Sequence, residues 1–488
     1  MSYNPSVSQP PMQLSPLVIA AGGLLLGVAF AFTGLAGMFV AVALCVPFVF
    51  GAVAASFPAW TLGAAIWCLA LVPFSWGLQT AVLPKLFGDE ALLLLYLAVF
   101  PVLYLFTGRS WRHGFRALYI GLGLFLLTQA LSFVYPSDLV SFRNFIETYV
   151  LGALLLVLVL QEASNSDSEI IARFIVWATV VIAVLSIVER IFQRNPVMEN
   201  SNALYASAEL VKITEGVYRP YVSFFHPSEA GTFMAMGVPF AVRAWLARRS
   251  WASALGLVII TVGLSVNATR GVWLGVAVAA LFALRRPLRA IAISAPVALF
   301  VGWVMYVAFG STPFFRRLTD PIDLLYRFEY WKIALRIVAG HPLIGVGHMQ
   351  FKKIYLQYVT HLSVNFDIST VFVADSIFLT TPVEHGLLGL ISLLALLIYA
   401  YYRLRKSRTA LSLRGLDAKA SMVRCSELAL IIYAVTGCLA DVNQFTKVTK
   451  YFFILLGLGL AQGVGSASPD GVKVVEHAAE PAPQGQCV

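Results

Sequence analysis

Apolar runs about twenty residues long, set apart by short stretches of charge, recur along almost the whole chain. They begin near Leu17, Met38, Trp60, Ala91, Phe115, Phe145, Glu169, Glu229, Trp251, Arg270, Leu288, Asp375, Cys425 and Tyr451. A helix of about twenty apolar residues spans the hydrocarbon core of a bilayer, so the pattern predicts an all-α, polytopic membrane bundle of roughly fourteen helices. The runs at Met38 and Trp60 lie close together and are broken by Pro47, Pro58 and Pro73, so the expected count is about twelve to fourteen.

Two longer, more polar stretches interrupt this rhythm and divide the chain. A short N-terminal tail (1–16) is expected to be disordered, followed by N-terminal spanning helices (17–188) and a first long loop (189–228). Central spanning helices (229–309) lead to a second, larger loop (310–374). C-terminal spanning helices (375–465) then precede a disordered tail (466–488) rich in Ala, Pro and Gly. Within the larger loop, Leu324, Phe328, Trp331, Leu335 and Val338 recur at spacings of four and three, with Arg327, Lys332 and Arg336 off that stripe. This predicts one helix lying along the membrane interface.

The short loops set the direction of the crossings. Arg109, Arg112 and Arg116 mark one basic loop, Arg243, Arg248 and Arg249 a second, and Arg285, Arg286 and Arg289 a third. Arg403, Arg405, Lys406, Arg408, Arg414 and Lys419 mark a fourth. With the crossings above, all four fall on one side, which the positive-inside bias makes cytoplasmic. Both termini are then cytoplasmic and both long loops face outward. In the larger loop Arg316, Arg317, Arg327, Lys332, Arg336, Lys352 and Lys353 outnumber Asp320, Asp323, Glu329 and Asp367. Such a basic excess on the outer face suits an anionic ligand.

Composition agrees and narrows the class. Only 12% of the 488 residues are charged, the mean hydropathy is +0.82 and the net charge is +10. A soluble protein carries about 25% charged residues. Nothing resembles a basic, aromatic-interleaved domain for nucleic acid, so that partner is excluded. Cys45, Cys68, Cys425 and Cys438 lie in or beside apolar runs and Cys487 in the tail, a pattern without disulfide or zinc spacing. Residues 1–15 hold no Lys or Arg ahead of the first apolar run, unlike a cleaved signal peptide.

Arg270 is the most telling polar residue. It opens an apolar run in Asn267-Ala268-Thr269-Arg270-Gly271-Val272-Trp273-Leu274-Gly275. An arginine at bilayer depth costs about 2.5–3.5 kcal/mol on insertion scales, so it either snorkels to the headgroups or has a task. Arg219 and Arg327 stand in similar settings. Arg219-Pro220 precedes His226-Pro227-Ser228-Glu229, where Pro227 suits the first position of a helix. Asn267 or Thr269 suits the cap of the Arg270 helix, and Asp375-Ser376 opens another. All three helices begin at the outer face. Their free N–H groups and partial positive charge, with the arginines, make an anion site of diphosphate size.

Two motif-like segments are set aside. His341-Pro342-Leu343-Ile344-Gly345-Val346-Gly347 lacks the Gly-Lys-Ser/Thr ending of a nucleotide loop and lies outside the cell, so neither ATP nor NAD is expected. Glu384-His385-Gly386 lacks a second histidine four residues on, so it is not a zinc motif of the helical kind. Neither cofactor nor metal is expected.

Taken in order, the Arg270-Gly271-Val272-Trp273-Leu274-Gly275 segment, Arg327 with Trp331, the His341–Gly347 segment, Asp375-Ser376 and Glu384-His385-Gly386-Leu387-Leu388-Gly389 resemble the O-antigen ligase and polymerase family of bacterial envelope polysaccharide assembly. The resemblance covers about Arg219 to Leu390. It implies a glycosyltransferase that needs no metal and moves glycan from an undecaprenyl diphosphate carrier at the periplasmic face of the inner membrane. A flippase and a chain-length regulator are the implied partners, beside membrane lipid. Arg219, Arg270 and Arg327 would then hold the diphosphate, with Arg270 catalytic, and the base would be Asp375, His348, His341 or Glu229. His226 and Glu384 are further candidates. Ligases of this family usually carry a histidine near the place of Asp375, so Val373-Ala374-Asp375-Ser376 resembles the polymerase side. Polymerization of repeat units is the expected activity. Ligation to an acceptor such as lipid A core, and a non-enzymatic flippase, are the alternatives.

Overall fold

A computed structural model describes residues 58–72, 77–78, 86–87, 113–135, 138–163, 165–195, 213–214, 217–224, 226–284, 322–359, 374–442 and 445–464. These residues are overwhelmingly helical. Two hairpins of two-residue strands are added, Gly77–Leu78 with Leu86–Phe87 and Ile213–Thr214 with Val217–Tyr218. The runs expected to begin near Leu17, Met38, Ala91 and Leu288 lie outside the described residues, as do parts of both long loops.

In chain order the helices are α1 (Pro58–Leu71), α2 (Arg116–Ala130), α3 (Leu139–Phe145), α4 (Leu151–Glu162), α5 (Asn165–Phe192), α6 (Pro227–Arg248), α7 (Trp251–Asn267), α8 (Arg270–Ala283) and α9 (Ile322–Gly340). The four-residue α10 (Phe351–Ile354), α11 (Ile377–Leu413), α12 (Asp417–Leu439) and α13 (Thr446–Val464) follow. A π-helical turn, Ile146–Val150, joins α3 to α4, making one span from Leu139 to Glu162. Among the described residues six helices are long and apolar enough to cross a membrane; α1, α7 and α8 are shorter apolar helices.

Local chemistry places the helix ends. Pro227 takes the first position of α6 behind His226, whose Nδ1 accepts the Ser228 N–H at 3.1 Å. Asp138 caps α3 by accepting the Ser141 N–H at 2.8 Å. Only Ala268 and Thr269 separate α7 from α8, and Ala268 turns the chain in left-handed backbone (φ 55°).

The bundle packs around α12, which contacts α6, α8, α11 and α13. Small residues let the backbones approach: Gly275 of α8 lies against Ile432 and Thr436, and Gly263 of α7 against Ala183. Large apolar side chains point outward, with Trp60 58%, Trp177 60% and Ile398 65% exposed, while Asn267, Thr232 and Thr436 are fully buried. An apolar exterior around a polar-threaded interior is what lipid as solvent selects. The chain is a membrane protein.

A second hydrophobic cluster sits apart from the bundle core. It joins Ile333, Ala334 and Ile337 of α9 to Val346, Phe351, Tyr355, Ala374 and Val383. The packed face of α9 is therefore not the stripe read from spacing. Phe328 and Leu335 of that stripe are exposed, and Trp331 and Val338 are only partly buried.

The most consequential local feature is a break in α11. Gly386 has φ 69° and ψ −177°, which interrupts the helix, and Pro382 already lacks an N–H. A break at bilayer depth leaves backbone groups to be satisfied. The segment 341–347 supplies them. Val346 and Gly347 donate to the Val383 and Glu384 carbonyls at 2.9 and 3.0 Å. Leu387 and Leu388 donate in turn to the Pro342 and Leu343 carbonyls at 2.8 and 3.3 Å. The two backbones lie so close that a Cβ on Gly386 would stand 2.0 Å from the Leu343 carbonyl oxygen, and one on Gly345 (φ 71°) 2.5 Å from Val383 O. The His341–Gly347 segment is thus a backbone clamp on a broken helix.

Candidate active site

Two polar constellations lie along α11. The first gathers at its N-terminus. The Arg327 guanidinium donates to the Leu439 carbonyl, and its Nε stands 3.8 Å from Asp375 Oδ2. Asp375 is 38% and Arg327 30% exposed, so both are open to a ligand. Asp375 does not cap α11. Ser376 occupies the cap position, while Asp375 adopts left-handed backbone (φ 51°), a conformation aspartate tolerates better than most residues, and turns its carboxylate to Arg327.

Leu439 links this pair to α8. A Cβ on Gly271 would stand 3.2 Å from Leu439 Cβ, so the first turn of α8, with half-buried Arg270 at its start, abuts the carbonyl that Arg327 holds. Thr269 occupies the N-cap position but makes no side-chain cap; its hydroxyl donates to Asn267 Oδ1 at 2.6 Å and accepts Arg219 Nη2 at 2.9 Å. Asn267 in turn donates to the carbonyls of Pro220 and Pro227 at 3.0 and 2.8 Å. Arg219, Arg270 and Arg327 therefore belong to one contact network. Their exposure separates them, since Arg219 is only 6% exposed. It braces the α7–α8 turn, while Arg270 and Arg327 are only partly buried.

His226 and Glu229 take structural places at the head of α6. His226 caps the helix and stacks on Phe445, and Glu229 is buried in the first turn. His341 is half-buried at the clamp, its Nε2 3.1 Å from the Tyr358 hydroxyl.

The second constellation lies about 13 Å further along α11, nine residues at 1.5 Å each. His348, Glu384 and His385 are almost fully buried, and their ligand-bearing atoms lie within 4.8 Å of one another. His348 Nδ1 is 3.2 Å from Glu384 Oε2 and 3.3 Å from His385 Nε2. The other ring nitrogens are engaged: His348 Nε2 with Asn144 Oδ1 at 2.9 Å, His385 Nδ1 with the Gln129 carbonyl at 3.1 Å. A small cavity beside them is lined by Tyr149, Thr380, Thr381 and Asp441 as well. Burial pushes the His348 imidazole down to about 3, so it is neutral. Sequence reading missed Asn144, Tyr149, Gln129 and Asp441, and set His385 aside for want of a partner within its own helix. The partner comes from 37 residues upstream. The π-helical turn that carries Tyr149 follows Asn144 directly; such turns cluster at functional sites and leave little mark on composition.

Residues 255–394, less than a third of the chain, match the model of a family described as O-antigen ligase. This segment is similar to the O-antigen ligase family domain. It contains Arg270, Arg327, His341, His348, Asp375 and Glu384, and leaves Arg219, His226 and Glu229 outside. Members of the O-antigen ligase family are glycan-transferring enzymes, which supports the resemblance read from the ordered motifs. No curated protein matches the chain.

Proposed function

We propose that the chain is a polymerase that joins oligosaccharide repeat units carried on undecaprenyl diphosphate, at the periplasmic face of a bacterial inner membrane. The observation that carries this reading is the half-open Asp375–Arg327 pair beside the Arg270 end of α8. The donor's leaving group is an anionic lipid diphosphate, so breaking its glycosyl bond drives transfer without ATP. Asp375 takes the proton of the acceptor sugar hydroxyl as that oxygen attacks the anomeric carbon. The bond from carbon to phosphate oxygen breaks, its electron pair leaves with the diphosphate, and Arg270 and Arg327 stabilise the growing charge. Arg219 positions the α7–α8 turn. This step draws its charge stabilisation from arginine and uses no metal. His348 is a poor base here because it is buried in a closed pocket, its Nε2 held by Asn144 and its Nδ1 turned to Glu384 and His385 rather than to the open end.

Ligation to an acceptor is the second reading, favoured by the description of the matching family and opposed by aspartate at position 375. Flippase action is less well supported, because the open charges gather at one end of the helices rather than along a path. Deletion in the native host followed by sizing of lipid-linked glycan separates the three. Accumulated single repeat units are expected; full-length chains left on the carrier would instead mean ligase, and donor trapped on the cytoplasmic face would mean flippase.

The orientation belongs to the same proposal, with both termini cytoplasmic and a flippase and chain-length regulator as partners. In a cysteine-free background, Gln357→Cys should react with an impermeant thiol reagent in spheroplasts and Thr409→Cys should not. The reverse pattern would put the arginine pair on the wrong side of the membrane.

A further inference from the structure

His348, Glu384 and His385 have a geometry that the transfer chemistry does not use. The Gln129 carbonyl can only accept, so His385 carries its proton on Nδ1 and turns a lone pair on Nε2 inward. Asn144 Oδ1, which also receives the Thr148 hydroxyl at 3.4 Å, places the His348 proton on Nε2 and leaves a lone pair on Nδ1. Both lone pairs and Glu384 Oε2 therefore converge, with separations of 3.2, 3.3 and 3.9 Å. Three acceptors facing one another repel; the Met349 N–H that reaches Glu384 relieves the carboxylate in part, and a cation among them would relieve all three. A single proton bridges two atoms and leaves the third unrelieved. A metal ion bonded at about 2.0–2.2 Å in tetrahedral geometry keeps its ligands about 3.3–3.6 Å apart, which two sides of the observed triangle match and the third, at 3.9 Å, exceeds.

The surroundings have the form of an outer shell. Ligating histidines characteristically donate their second ring nitrogen to a carbonyl or carboxylate, which fixes the tautomer. Here Asn144 Oδ1 and the Gln129 carbonyl accept those bonds. Thr380 and Asp441 line the same cavity and are buried, so an oxygen is at hand for a fourth position. Two imidazoles and carboxylate oxygen suit zinc better than calcium or magnesium, which prefer all-oxygen shells.

We propose that His348, Glu384 and His385 bind one divalent transition-metal ion, zinc in the first instance, as a structural clip. The clip fastens the 341–350 segment to the broken α11, across the same seam that the Val346, Gly347, Leu387 and Leu388 backbone bonds close. It lies away from the Arg327–Asp375 end, so it stands or falls independently of the glycan reading.

The test uses the full-length chain in detergent, purified through a tag without histidines and analysed for metal by mass spectrometry. About one zinc per chain is expected, falling at least tenfold in Glu384→Gln and in His348→Gln. Chelation should lower the thermal aggregation temperature of the wild type and leave that of Glu384→Gln unmoved. Should either variant be lost from the membrane, X-ray absorption at the zinc edge of the wild type decides by itself: two imidazole ligands support the site, none or one overturns it. A wild type that carries no zinc and takes up no cobalt overturns the proposal. So does stoichiometric zinc that survives both substitutions, which would be an adventitious ion only.

Discussion

The two ends of the first half of α11 make opposite use of charge. At its N-terminus Asp375 and Arg327 stand 3.8 Å apart and about a third exposed, a loose pair that a ligand can enter and rearrange. Nine residues on, Glu384 and His385 meet His348 at 3% exposure or less, with the outer ring nitrogen of each histidine already engaged. A loose, wet pair costs little to open and can trade partners during a reaction. A dry cluster is rigid, and losing one member leaves uncompensated polar groups. The proposed chemistry suits the first place and the proposed clip the second.

Breaking the seam beneath the closed cluster has the largest expected effect. Gly386→Ala sets a Cβ against the Leu343 carbonyl oxygen in left-handed backbone, so backbone must move and the four clamp bonds part. Strain of this kind costs about 1–3 kcal/mol before the clash is counted. Folded protein in the membrane should fall below detection by immunoblot. Normal abundance would show that the clamp is not needed to hold α11.

At the open end, the effect should fall on rate and spare abundance. Asp375→Asn keeps the size of the side chain and removes the base, so polymer synthesis should drop about 10²–10⁴-fold at unchanged protein level. Polymer within a few fold of wild type would remove Asp375 from the chemistry and return the choice of base to His341.

Arg270→Lys sharpens the same contrast. A guanidinium grips two phosphate oxygens in parallel, whereas an ammonium is a point charge with a tightly held water shell. Lysine should be nearly as damaging as alanine, each costing about 10²–10³ in rate. If Arg270 only anchored α8 at the headgroups, lysine would snorkel equally well and polymer would be normal. Measuring polymer length beside protein abundance for both variants separates an anchor from a catalytic group.

The smallest effect is expected at Asp138, the cap of α3, which also meets Lys353 at 3.0 Å. The Ser141 hydroxyl and N–H and the Lys353 ammonium hold its carboxyl below the usual carboxylate range. A depressed folded-state value means the stabilisation is complete above the unfolded value of about 4, and is lost as pH falls through the folded one. At neutral pH Asp138→Ala should cost about 1 kcal/mol of stability, read as a small shift in aggregation temperature. Activity lost beyond that would show α3 to be part of the open site.

Much of the architecture was legible in the one-dimensional pattern. The runs read as beginning near Trp251 and Arg270 start helices α7 and α8 at those residues, though both helices are shorter than a full span, and Pro227 sits at the first position of α6 as its ring requires. The wrong or missing inferences share one cause. The stripe on α9 was read as one amphipathic face, but the packed residues are Ile333, Ala334 and Ile337, because the partner surface at Val346, Phe351 and Tyr355 decides which apolar side is covered. Nothing in the spacing showed that Asp375 faces Arg327, 48 positions earlier in the chain.

The sequence by itself determined that this is a membrane bundle with Arg270 at a helix beginning, because hydrophobic length, capping residues and charge distribution act locally along the chain. Only the tertiary structure decided that the His341–Gly347 segment closes a broken helix and that His348 meets Glu384 and His385. Those contacts join backbone groups and ring nitrogens some 40 residues apart. A broken helix in lipid must find its hydrogen-bond partners somewhere, and where they come from is a property of packing rather than of spacing.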